Sequence, residues 1–135
     1  MMRSSVLILV MLTLTLGGAE AQHARTRLDR DLEAYVMGAC LAQSGDAAIK
    51  KQGESVAGAV VQRSRGDIQS FAALDKVVRD ELARTGVGVA HLDGATPTDI
   101  ELPVLTCDEM RDRPVVQRAM GLARAKLRGE YGVAR

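Results

Sequence analysis

The chain is poor in aromatic side chains. Tyr35, Phe71 and Tyr131 are the whole set, tryptophan is absent, and aromatics amount to 2% of 135 residues. Too few rings remain for a base-stacking platform or an aromatic carbohydrate clamp. Charge of one sign is also missing: 18 Lys and Arg against 17 Asp and Glu leave a formal net charge of +1. Such a balance creates no field that gathers nucleic acid or anionic lipid. A late basic cluster (Arg111, Arg113, Arg118, Arg124, Lys126, Arg128) is interleaved with Asp108, Glu109, Asp112 and Glu130 and reads as a solvated helix face.

Chemistry-bearing patterns are scarce as well. The histidines are His23 and His91, and no C-x-x-C, H-x-x-x-H, G-x-S-x-G or G-x-G-x-x-G spacing occurs. Gly86-Val87-Gly88 is a bare G-x-G. The adjacent carboxylates Asp80-Glu81 and Asp108-Glu109 diverge by about 100° on a helix, so they read as surface charges. A Cys–His nucleophilic pair would need a free thiol near His91. The expectation is therefore a binding or inhibitory protein, not an enzyme, with no cofactor and no metal.

What the chain does have is an export signal pattern and a single pair of cysteines. Residues 1–21 read as a secretory signal peptide: Arg3 supplies the positive start, residues 6–16 the apolar stretch, and Ala19-Glu20-Ala21 the small-x-small cleavage site. The apolar run falls short of the roughly 20 residues a bilayer span needs, so no membrane segment is expected after cleavage. The rest, residues 22–135, has the size of one domain. In an oxidising compartment such as the periplasm, Cys40 and Cys107 are expected to form a disulfide, the alternative being two separate buried thiols.

Apolar spacing divides this domain into helices. From about residue 29 to 43, Leu32, Tyr35, Val36, Ala39 and Cys40 line one face, and Ser44-Gly45 ends the run. Asp46 can cap a second helix to residue 64, with Ile49, Gly53, Val56, Ala57, Val60 and Val61 on one side. Gly53 and Gly58 inside it suggest close helix approach. After Gly66-Asp67, residues 68–84 place Ile68, Phe71, Leu74, Val78 and Leu82 on a third stripe. Residues 85–103 carry Gly86, Gly88, Gly94, Pro97 and Pro103 and read as a loop, with a short strand-like stretch at Val87 and Val89. A short helical turn follows through Cys107 to Arg111. Asp112 is then expected to cap a last helix with Pro114 in its first turn and Val116, Ala119, Met120, Ala123 and Leu127 buried. Residues 129–135 are expected to fray. The fold class is all-α, a bundle of four to five helices with one disulfide.

Three stretches carry a family likeness. Tyr35-Val36-Met37-Gly38-Ala39-Cys40-Leu41-Ala42, Phe71-Ala72-Ala73-Leu74-Asp75-Lys76-Val77-Val78 and Leu105-Thr106-Cys107-Asp108-Glu109-Met110 together span nearly all of the mature region. In these the chain resembles the immunity proteins that neutralise the fourth class of type VI secretion amidase effectors. The resemblance implies a periplasmic homodimer that plugs the active site of a papain-like peptidoglycan amidase with a protruding loop. Residues 85–103 are the candidate plug, with His91, Leu92, Asp93, Asp99 and Glu101 as candidate contacts. A mobile connector is the other reading of that loop, and the third-helix surface the other candidate contact face. A different class of function, a small periplasmic envelope-stress or chaperone-like protein binding clients through apolar faces, is the alternative.

Overall fold

The computed structural model describes residues 25–64, 66–96 and 98–132. The expected signal peptide and His23 lie outside the described residues. Five helices and one two-stranded sheet follow in chain order: α1 Arg27–Leu41, α2 Ala47–Arg63, α3 Ile68–Thr85, β1 Val89–Leu92, β2 Thr98–Glu101, α4 Pro103–Met110 and α5 Pro114–Tyr131. The expected helical bundle is present, and Cys40 is bonded to Cys107.

Each of the first three helices starts on a side-chain cap, which satisfies backbone donors that have no partner inside the helix. The Thr26 hydroxyl accepts from the Asp29 N–H, while the Asp29 carboxylate accepts from the Thr26 N–H. Asp46 accepts from Ala48 and Ile49, and Asp67 from Gln69. The start of α5 differs from expectation. Arg113, not Asp112, stands at the cap position and offers no side-chain bond; the ring of Pro114 removes one donor that would need a partner.

The core runs between α1, α3 and α5. Leu32, Val36, Val78, Val116 and Leu127 are wholly buried, and the rings of Tyr35 and Phe71 lie 4.9 Å apart, tilted by 57°. Two stripe residues are corrected: Ile68 is 63% exposed and Val56 39% exposed. Helical spacing sets the direction of a side chain but not whether a neighbour extends far enough to cover it. Ile68 is the first residue of α3, and α2 packs mainly against α1.

That α1–α2 contact depends on two glycines. A Cβ on Gly53 would sit 2.6 Å from the Gly38 carbonyl oxygen, and one on Gly38 would sit 2.7 Å from the Ala57 nitrogen. The helices are in backbone contact at this crossing. Gly58, expected to share the role, faces open space instead.

A buried carboxylate ties the far ends together. Asp31 on α1 receives Arg63 from the end of α2 at 2.5 Å and the Tyr131 hydroxyl from the end of α5 at 2.9 Å. The expected fraying from residue 129 is therefore corrected: α5 continues through Tyr131, which packs against the core. Residues 133–135 lie outside the described residues.

Two predictions follow from the packing and the buried carboxylate. Gly53→Ala should destabilise the protein by about 1–3 kcal/mol because only backbone can yield, whereas Gly58→Ala should stabilise it by about 0.5–1 kcal/mol; denaturant melts of the two variants measure both. Burial and the hydrogen bond to Asp31 push the Tyr131 phenol up to about 12 from 10.0. Its neutral form is favoured in the folded state, so its contribution is complete below pH 10 and is lost as pH rises toward 12. Unfolding free energy should fall across that window, and Tyr131→Phe should flatten the fall.

Candidate functional site

The segment 85–103, expected as a loop, carries an antiparallel pair of strands, β1 and β2, joined as a hairpin. Val89 stands opposite Glu101, Ala90 opposite Ile100, His91 opposite Asp99 and Leu92 opposite Thr98. The strand suspected at Val87 begins at Val89, and Val87 itself packs against the bundle core. β2 was hidden because Thr98-Asp99-Ile100-Glu101 is short, half acidic and fully exposed, so no apolar alternation marks it.

The base of the hairpin is fastened to the bundle. Gly86, with φ of 74°, turns the chain out of α3, a conformation open to glycine and strained for other residues. The Leu102 N–H donates to the Gly88 carbonyl at 2.8 Å. The Gly88 N–H donates to the Thr106 hydroxyl at 2.9 Å, and that hydroxyl donates to the Leu102 carbonyl at 2.9 Å. One side chain thus closes both strands at their root. Thr106 directly precedes Cys107, whose Cα lies 5.5 Å from that of Cys40 in α1. Sequence reasoning missed Thr106; its only signal was a hydroxyl residue beside a cysteine at the start of a short helix.

The candidate contacts divide by position. His91 and Asp99 meet across the strands, Nδ1 to Oδ1 at 2.5 Å, both well exposed. Leu92 and Ile100 are diagonal neighbours on the opposite face, 49% and 44% exposed. Glu101 faces Val89 near the base, and Asp93 lies just beyond the end of β1. Sequence reasoning missed Ile100. The hairpin carries the carboxylates of Asp93, Asp99 and Glu101 and no Lys or Arg. One face carries Ala90, Leu92, Thr98 and Ile100, and the other carries His91, Asp99 and Glu101 together with the exposed Val89.

Two clefts elsewhere are bordered by charged side chains, some of them already paired. Between α3 and α5 a cleft of about 490 Å³ is bordered by Val77, Asp80, Glu81, Arg84, Val115 and Arg118. Its most enclosed carboxylate, Glu81, is bonded to Arg84 at 2.6 Å, and that guanidinium holds it below the usual carboxylate range. The outer face of α3 carries the helical pairs Asp75–Arg79 and Lys76–Asp80. A second cleft, of about 390 Å³, includes Arg124, which is bonded to Asp29 at 2.6 Å. Among the described residues no group of three or more His, Cys, Asp and Glu side chains is placed to hold a metal ion. No helix among them is long and apolar enough to cross a membrane.

Comparison of the chain with protein-family models, with curated proteins and with solved structures gives no match.

The clamp makes a direct prediction. Thr106→Val keeps the shape of the side chain but leaves the Gly88 N–H without its acceptor. Protection of the hairpin amides against hydrogen exchange should drop by about tenfold, the equivalent of about 1.4 kcal/mol, a cost within the range for an unmade bond. Protection in α1 and α5 should hold.

Proposed function

We propose that this chain is an exported immunity-type protein that inhibits a peptidoglycan amidase effector of type VI secretion. On this reading it acts in the periplasm as a homodimer, has no catalytic role of its own, and prevents self or sibling killing. The observation that carries the reading is the exposed hairpin clamped by Thr106 to a disulfide-anchored helix. A binding element held at its root loses less conformational freedom on docking than a free loop. Leu92 and Ile100 supply an apolar wedge, and Asp93, Asp99 and Glu101 supply negative charge. That combination suits a cleft whose catalytic histidine is cationic, where close charge pairs contribute several kcal/mol. The identity of the partner rests on the resemblance in the segments around Cys40, Phe71 and Cys107.

A client-binding envelope protein would instead use isolated apolar side chains such as Leu122, 69% exposed, and Ile68. Scattered residues of that kind are normal on any surface, and the hairpin has no role in that reading.

The test is a segment exchange. Residues 92–101 are replaced by a Gly/Ser linker of equal length, and inhibition is measured against the amidase encoded beside this chain. The bundle should melt as before, and inhibition should weaken by at least tenfold, about 1.4 kcal/mol. Full inhibition by the folded exchange variant would move the contact to the helix faces. Failure of the unaltered protein to bind any neighbouring amidase would end the immunity reading.

A further inference from the structure

The geometry points to the outer edge of β1 as a docking rail that accepts an extended segment of a partner protein as a third strand. The partner segment alternates apolar with Lys or Arg residues. This deepens the proposed function and rests on it for the partner's identity, while the edge itself can be tested without that partner.

The argument begins with backbone groups. Opposed residues in an antiparallel pair alternate between bonded and non-bonded positions. The bond from the Leu102 N–H to the Gly88 carbonyl fixes the phase. With the observed register, Ala90–Ile100 and Leu92–Thr98 are bonded positions, while Val89–Glu101 and His91–Asp99 are non-bonded. The N–H and C=O of Val89 and His91 therefore point away from β2. Among the described residues the sheet has these two strands. None of the other backbone bonds between elements reaches Val89 or His91 among the described residues.

The two edges are not equivalent. On β2 the outward-facing positions are Asp99 and Glu101, and charged residues on an edge strand discourage further pairing. β1 reads Val89-Ala90-His91-Leu92, with no Lys, Arg, Asp or Glu. It is the unguarded edge. Strand addition takes affinity from main-chain bonds and specificity from alternate side chains. An incoming strand would set one row of side chains beside Leu92 and Ile100. Its other row would lie on the face of Val89 and His91, with Asp99 and Glu101 one strand further across it. The acidic hairpin, without a basic residue of its own, selects Lys or Arg for that second row.

The probe is the capped peptide acetyl-Lys-Val-Lys-Val-Lys-Val-amide, added to the isotope-labelled protein while backbone amide exchange is followed by NMR. At about 1 mM peptide, the His91 amide should exchange about fivefold more slowly, as mass action gives for a Kd near 0.25 mM. The acidic counterpart acetyl-Glu-Val-Glu-Val-Glu-Val-amide should leave it unchanged. Val89→Pro removes an outward N–H while sparing the bonds to β2, a placement edge strands tolerate; it should abolish the slowing, and Val89→Ala should preserve it. No slowing with the Lys peptide, equal slowing in Val89→Pro, or equal slowing by the Glu peptide would each overturn the proposal. The neighbouring amidase is then added in the same measurement, and protection of His91 is expected. An amidase that binds and leaves His91 unprotected would overturn strand addition but not inhibition. Peptide protection without amidase binding would keep the rail and remove the inhibitory reading.

Discussion

Helix α4 has only eight residues and no side-chain cap at its start, so on its own it could not hold a conformation in water. Its position is imposed by the Cys40–Cys107 disulfide, buried at 1% and 2% exposure, together with Met110 in the core. The bond joins residues separated by 67 positions. Loop-closure entropy for so long a segment corresponds to roughly 4 kcal/mol of stabilisation. The greater consequence is positional. Residues between the two cysteines include α2, α3 and the hairpin, and the hairpin re-enters the bundle at Thr106, beside the bond. A constraint between α1 and α4 is therefore also a constraint on where the hairpin begins and ends.

Helix α1 is the other half of that constraint, because it touches α2, α3, α4 and α5. Its carboxylates extend the same role with polar contacts. Asp29 meets Arg124, Asp31 meets Arg63 and Tyr131, and Glu33 meets Arg25, with Arg111 at 3.9 Å. Exposed pairs of this kind contribute about 0–1 kcal/mol each. Asp31 differs because it is almost wholly buried while Arg63 is half exposed. Removing its partners would strand a charge away from water, which is far costlier than the pair is stabilising. Its effect is to fix which ends of α2 and α5 lie against α1.

Much of the bundle was legible in the residues because each signal was local. Asp46 marks a helix start, Gly66-Asp67 the break before α3 and Pro114 the first turn of α5, and the stripe from Val116 to Leu127 keeps the helical period. The misses share a different physics. Gly38 is the counterpart of Gly53, but a close crossing involves two helices and neither spacing alone reveals it. The spacing around Tyr131 gives no sign that it is tied down, because its partner, Asp31, lies 100 positions away in sequence. β2 escaped notice because an exposed strand has no buried face to impose alternation. The candidate contacts were found as members of one segment, but their sorting onto two faces came only with the register.

That register also explains how a two-stranded sheet without a core of its own is held. Isolated hairpins are marginal in water, and both faces here are largely solvent-exposed. Order must enter from the root, where Gly88, Leu102 and Thr106 share their bonds. Beyond β1, the Thr98 hydroxyl donates to the Thr96 carbonyl at 3.2 Å. Immobilising a side chain on binding costs about 0.5–1.5 kcal/mol, and less where it is already ordered. Contacts made by Val89, His91, Ile100 and Glu101 near the root therefore return more affinity per atom than those made by Asp93 at the tip. A partner reading this hairpin would find its specificity in the paired strands, where the register fixes which side chains stand side by side.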